Sequence, residues 1–161
     1  MTEKSFYNKD SLVKIFRFIK IYGFLRSTVK VFGRMRPNIS FKLLFYIFNP
    51  LRKKIKVGII GCGQFPYSTS IYYLTRFSKA KLIWCYDINY EAAKSLAKFY
   101  GINNFSDKND IMDIDVDLVY IASNHASHTS YAIKFLNKKT DVYIEKPIST
   151  DFKQLNELDI L

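Results

Sequence analysis

Over the C-terminal two-thirds of the chain, short apolar runs alternate with longer stretches of helical periodicity. Residues 55–60, Ile-Lys-Val-Gly-Ile-Ile, are apolar first in alternation and then continuously, the pattern of a parallel strand covered on both faces. Further strands are predicted at 81–86, near 102–105, at 117–122 and at 141–144. A helix should begin near Pro66, because proline is favoured at the first helical position, where its missing N–H costs nothing. Another should run from Tyr90 to Tyr100, with Asn89 as N-cap and Gly101 as C-cap. A third is expected from about Ser127 to Asn137. The last starts with Asp151 and Gln154 in capping-box spacing. The acidic segment 107–115 carries no strong pattern. Strands alternating with helices predict an α/β domain with a doubly wound parallel sheet.

The N-terminal part reads differently. Leu12, Ile15, Phe16, Ile19 and Tyr22 follow helical spacing, with Lys14, Arg17 and Lys20 among them, so an amphipathic helix is predicted within 11–32. A second apolar stretch, Phe41 to Phe48, is broken only by Lys42. Neither run reaches the roughly 18 charge-free residues that a spanning helix needs. The opening Met-Thr-Glu-Lys lacks the pattern of a signal peptide, so a cytoplasmic protein is expected.

Charge sharpens this division. Residues 1–54 hold 13 Lys and Arg against Glu3 and Asp10, whereas residues 55–161 hold 12 basic and 12 acidic residues. The whole net charge of +11 therefore sits in the first part. The expected organisation is a basic amphipathic helical extension, 1–54, followed by an α/β domain, 55–161. The boundary falls at Asn49-Pro50, followed by Arg52-Lys53-Lys54. A cationic helix of this kind can lie on an anionic membrane surface, at its inner face, or pack on the protein or a partner subunit. No nucleic-acid reader motif accompanies the charge, so nucleic acid is not an expected partner.

With 48% apolar and 17% aromatic residues, the chain is not disordered by composition. Its two cysteines, Cys62 and Cys85, are too few and too far apart for a zinc pattern. No metal site is expected, and both thiols read as buried and reduced.

The candidate chemistry begins where the first strand ends, at Gly61-x-Gly63. Without a Cβ at Gly63 the backbone can approach a pyrophosphate closely, and the following helix aims its positive end at the anion. Pro66 stands where a third glycine would complete the usual pattern. Asp87 closes the second strand, 26 residues after Gly61. Its carboxylate can accept hydrogen bonds from both ribose hydroxyls of NAD, or it can simply cap the next helix. Ile88 and Asn89 offer no cation for a 2′-phosphate, so NAD is expected in preference to NADP.

Residues 117–128, Asp-Leu-Val-Tyr-Ile-Ala-Ser-Asn-His-Ala-Ser-His, and 141–148, Asp-Val-Tyr-Ile-Glu-Lys-Pro-Ile, add to this pattern. Together with Gly61-Cys62-Gly63 and Asp87, they resemble the N-terminal half of the glucose–fructose oxidoreductase / inositol dehydrogenase (Gfo/Idh/MocA) family. Glu145-Lys146-Pro147 after a strand is the most specific local signature. The resemblance runs from about residue 54 to Leu161 and implies a Rossmann domain that binds NAD, or less readily NADP.

By the same resemblance, Gly61, Cys62, Gly63, Gln64 and Phe65 correspond to the phosphate-binding turn. Ser123 and Asn124 follow the fourth strand at the edge of the cofactor crevice, and His128 comes near the nicotinamide side. Glu145 and Lys146 join the cofactor site. Lys146 is the expected catalytic residue, an ammonium beside the nicotinamide ribose and the reacting hydroxyl. His125 has no such match and reads as a loop histidine.

The implied reaction is hydride transfer between nicotinamide and a sugar, cyclitol or similar polyol-type substrate. In such proteins a C-terminal α/β domain supplies most of the substrate pocket and the usual catalytic Asp and His, which would lie past Leu161. The chain therefore reads as the nucleotide-binding portion of an oxidoreductase. Two other readings stay open: a non-catalytic dinucleotide-binding module, and a membrane or partner adaptor working through its basic N-terminus. Catalysis by this chain alone and homo-oligomer formation are also left open.

Overall fold

The computed structural model describes residues 9–41, 55–78 and 80–160. The apolar stretch beyond Phe41 and the expected boundary at 49–54 lie outside the described residues. Five strands, β1 (Ile55–Ile60), β2 (Ala80–Tyr86), β3 (Asn104–Ser106), β4 (Leu118–Ile121) and β5 (Asp141–Ile144), form one parallel sheet in the order β3-β2-β1-β4-β5. Two helices precede it, α1 (Lys9–Tyr22) and α2 (Phe24–Met35). A π-helical turn over Pro66–Ser70 leads into α3 (Ile71–Phe77), and α4 (Tyr90–Tyr100), α5 (His128–Asn137) and α6 (Phe152–Asp159) follow β2, β4 and β5.

Local chemistry accounts for most of these boundaries. The Asn89 side chain accepts from the N–H groups of Glu91 and Ala92, and Gly101 closes α4 at φ 71°. The N–H of Ile102 also goes to Ala97 O, so pairing of β3 begins only at Asn104, later than the expected 102. At α6 the Asp151 carboxylate accepts from Lys153 N–H, as a cap should. Ser149 Oγ, not Gln154, receives the N–H of Asp151, so the second half of the expected capping box comes from upstream. The acidic segment forms a short 3₁₀ turn at Asn109–Asp113.

Both sheet faces are covered, which explains why β1 reads as nearly continuous apolar sequence. One face buries Val57, Ile59, Cys85 and Tyr120 under the π-helical turn, α3 and α4, against Tyr67, Ile71, Leu96 and Phe99. The other buries Ile60, Trp84, Val119 and Ile121 against Ala132 and Phe135 of α5. Trp84 lies across β1 at Gly58, where an added Cβ would come within 2.2 Å of the indole. Its Nε1–H donates to Ile114 O at 3.0 Å.

In the N-terminal extension, the helix expected from the spacing of Leu12 to Tyr22 is α1, and a second helix, α2, follows it. The break is at Gly23, whose φ of 83° ends α1 as its N–H bonds to Ile19 O. α2 packs directly on the domain. Val29 is fully buried, and Gly33 approaches so closely that a Cβ would stand 2.7 Å from Ser68 Cβ. Phe32, Phe41 and Phe99 form an aromatic cluster, pinned by Phe41 N–H to Phe99 O at 2.9 Å. Not all basic residues of α2 are solvated: Arg26 is buried, donating to Thr69 Oγ1 at 2.9 Å. By contrast, Val13, Phe16 and Ile21 of α1 are exposed. Among the described residues no helix is long and apolar enough to cross a membrane.

Candidate dinucleotide-binding site

β1 and β4 are neighbours, with β2 and β3 to one side and β5 to the other. Strand order therefore reverses between β1 and β4, and the crevice outside their carboxyl ends is where open α/β sheets bind ligands. The predicted residues at the ends of β1, β2, β4 and β5 converge on this edge.

The two glycines after β1 have different reasons to be there. Gly61 takes φ +94°, and a Cβ on it would stand 2.3 Å from Ala122 O. The turn into β4's territory cannot form with a side chain at that position. Gly63 is not in the positive-φ region, and the nearest atom to an added Cβ is Pro66 Cδ, at 4.0 Å. Among the described residues nothing forbids a side chain there, so the space beside Gly63 is open to a ligand. Gln64 and Phe65 follow at the start of the helical segment, whose first N–H groups have no partner within the helix itself.

Cys62 lies between the glycines with its backbone held at both ends. Its N–H donates to Asp87 Oδ2 at 2.7 Å, and its carbonyl accepts from Arg36 Nη2 at 2.6 Å. Asp87 Oδ1 accepts from Asn89 N–H at 2.9 Å, so the carboxylate both supports the turn and leads into α4. A carboxylate has about four acceptor positions, which leaves capacity for ribose hydroxyls. The Cys62 and Cys85 thiols are free and buried. A hydrogen bond with Cys85, together with burial, pushes the Cys62 thiol well above its ordinary value.

Arg36 was not a candidate from the sequence. It caps α2 in a left-handed conformation (φ 48°), donates from Nη1 to Ser95 Oγ at 2.9 Å, and lies over the Tyr67 ring at 4.4 Å. Burial lowers its pKa from the ordinary arginine value, opposed by attraction to Tyr67, Cys62 and Asp87.

Beyond β4, Asn124 Oδ1 accepts from Ser127 N–H at 3.1 Å, and the hydroxyls of Ser123 and Ser127 are 2.7 Å apart. His128 is only 1% exposed, with Nε2 3.0 Å from Ser123 O and Nδ1 2.8 Å from Pro147 O. Its ring thus joins the segments after β4 and β5. Thr129 Oγ1 reinforces the join by donating to Ile148 O at 2.8 Å. His125 is exposed.

After β5, the Glu145 N–H continues the sheet pairing to Ile121 O at 2.9 Å. Its Oε1 accepts from the Tyr120 hydroxyl, which also lies 2.6 Å from Ser70 Oγ. Burial, then the bond to Glu145, pushes the Tyr120 phenol above its ordinary value. Tyr120 and Ser70 thus tie Glu145 to the helical turn after β1, a link no spacing in the sequence announces. Lys146 is exposed at the crevice edge, and its peptide bond to Pro147 is cis. Among the described residues no cluster could hold a metal ion.

The model of the oxidoreductase family with an NAD-binding Rossmann fold (Gfo/Idh/MocA) matches residues 55–160. The chain belongs to that family. Glucose-6-phosphate 3-dehydrogenase of Bacillus subtilis is 30% identical over 99 residues, 62% of this chain and 28% of that protein. The scyllo-inositol dehydrogenase of Lactobacillus casei, solved with NAD(H) and scyllo-inositol, matches with a TM-score of 0.59 and 28% identity. That match covers 65% of this chain and 31% of the other. A 3-ketoreductase from Actinomadura kijaniata, solved with NADP, shares the fold with a TM-score of 0.60 and 23% identity over 66% of this chain and 33% of its own. The chain spans about a third of the length of the relatives it matches. It is an NAD(P)-type Rossmann oxidoreductase domain related to sugar and cyclitol dehydrogenases.

Proposed function

We propose that residues 55–161 bind NAD(H) for an oxidoreductase that acts on a sugar, cyclitol or similar polyol. The observation that carries this reading is Gly63: a glycine that neither φ nor packing demands, at the carboxyl end of β1, beside open space. Gly61, Cys62, Gly63, Gln64 and Phe65 would hold the pyrophosphate through backbone N–H groups. Ser123 and Asn124 would line the crevice toward the nicotinamide. The cofactor, when bound, supplies the hydride acceptor or donor.

The chain's own residues supply orientation and charge. Asp87 accepts the ribose hydroxyls and repels a 2′-phosphate; two unit charges about 4 Å apart cost roughly 4 kcal/mol at an effective dielectric near 20. Lys146 places an ammonium where alkoxide charge develops on the substrate carbinol. Glu145, anchored by Tyr120 and Ser70, and His128, bridging Ser123 and Pro147, act as positioning residues that set the crevice width. Calorimetric titration of the chain with NADH and NADPH tests the reading. One-site binding with NADH the tighter ligand supports it, and absence of binding overturns it.

For the extension, we propose a division of labour within residues 1–54. α2 is part of the folded domain, whereas the first helix offers an anionic membrane surface a cationic face. What supports this is the exposure of Val13, Phe16 and Ile21 among Lys14, Arg17 and Lys20.

A further inference from the structure

Arg36, at the end of α2, bonds the glycine turn after β1. Three contacts fix its guanidinium: the Cys62 carbonyl at 2.6 Å, Ser95 Oγ at 2.9 Å and the Tyr67 ring at 4.4 Å. Cys62 belongs to the turn after β1, and Ser95 lies on α4, the helix after β2. The guanidinium therefore joins the turn after β1 to α4, the helix that Asp87 leads into. Asp87 is bonded to the other end of the same residue, Cys62 N–H, at 2.7 Å.

The sequence around Asp87 offers no cation for a 2′-phosphate, but the fold brings one from 51 positions upstream. Arginine suits the task because five N–H donors in a rigid plane can engage a protein carbonyl and a phosphate together. The contacts to Cys62 and Ser95 use two of those donors.

Building on the NAD(H)-binding reading, we propose that Arg36 recognises the adenosine 2′-phosphate of NADP(H). It would make this chain a dual-cofactor protein in which Asp87 and Arg36 set opposing preferences. Asp87 keeps NAD(H) the better ligand, while Arg36 offsets the repulsion and keeps NADP(H) bindable. The basic extension then has a role at the cofactor site as well as in packing.

The test is calorimetric titration of the full 161-residue chain, wild type and variants, with NAD and NADP separately. Arg36→Ala and Arg36→Gln should loosen the turn and so weaken both dinucleotides, but NADP should lose roughly tenfold or more beyond NAD, the loss of one charge-assisted hydrogen bond. Tm measured beside each affinity, with the ratio of NAD to NADP affinity, separates phosphate recognition from support of the turn. Arg36→Lys should recover part of the NADP affinity. Equal weakening of both dinucleotides in the Gln variant would make Arg36 a support of the turn and overturn the proposal. So would a wild-type chain that binds NAD but shows no measurable NADP affinity. If wild type binds neither dinucleotide, the NAD(H) reading itself fails and takes this inference with it.

Discussion

Asp87 and Arg36 grip opposite ends of one peptide residue: Asp87 Oδ2 accepts the Cys62 N–H at 2.7 Å, and Arg36 Nη2 donates to the Cys62 carbonyl at 2.6 Å. An acid from the end of β2 and a base from the end of α2 thus fix the turn on which the site depends. The prediction for Asp87 follows from its double duty. Asp87→Ala should lower the preference for NAD over NADP and also loosen the turn, so NAD binding itself should weaken. Calorimetry with both dinucleotides measures the two effects. A preference unchanged by the substitution would remove Asp87 from cofactor selection and leave it a support of the turn.

Gly61 should be intolerant for structural reasons alone. A Cβ there meets the Ala122 carbonyl at 2.3 Å and forces a side chain into φ +94°. Gly61→Ala should cost at least about 2 kcal/mol, combining backbone strain with overpacking. Thermal unfolding followed by circular dichroism would show this as a fall of several degrees in Tm. An unchanged Tm would mean that the turn adapts far more freely than its contacts imply.

Stability should fall in alkali. In the folded protein, the Cys62 thiol is raised above 9.0, mainly by its bond with Cys85 and by burial. The phenols of Tyr67, Tyr100 and Tyr120 are raised above 10.0, with burial the leading cause for each. The folded state therefore keeps protons that the unfolded chain releases, and stability declines as pH rises through the unfolded values. Urea midpoints should be level near pH 7–8, begin to drop near pH 9 and drop faster past pH 10. A midpoint flat to pH 11 would contradict the burial of these groups.

The first helix gives a prediction separable from folding. Phe16→Glu places a charge on an exposed apolar position of α1, 71% exposed, and should leave Tm nearly unchanged. It should abolish sedimentation with anionic vesicles, to which each basic residue near the surface contributes about 1 kcal/mol. Added salt should weaken wild-type binding as the Debye length shortens. Wild-type protein that does not pellet with anionic vesicles would leave α1 without a membrane role.

The parallel sheet was legible because each strand carries its signal locally: apolar runs closed by Gly61, Asp87 or Glu145, and caps such as Asn89 and Gly101 that act within a few residues. The glycine turn and the Glu145-Lys146-Pro147 signature were legible for the same reason. Contacts made between distant segments were not. Arg36 reaches Cys62 only because α2 packs on the π-helical turn at Gly33 and Ser68, and nothing periodic in the sequence encodes that docking. The link from Tyr120 through Ser70 to Glu145 and the bridging role of His128 are likewise properties of the assembled sheet. The helix read from the spacing of Leu12 to Tyr22 ends at Gly23, whose φ of 83° leads into a second helix that this spacing did not announce.

The central claim, that the open space at Gly63 is a dinucleotide site, is tested most directly by the NADH affinity of Gly63→Ala measured beside its Tm. The added methyl would touch nothing closer than Pro66 Cδ at 4.0 Å, so Tm should stay within about 2 °C of wild type. NADH affinity should fall by roughly tenfold or more, because the methyl occupies the space the pyrophosphate needs. Wild-type affinity in a folded Gly63→Ala protein would contradict the account.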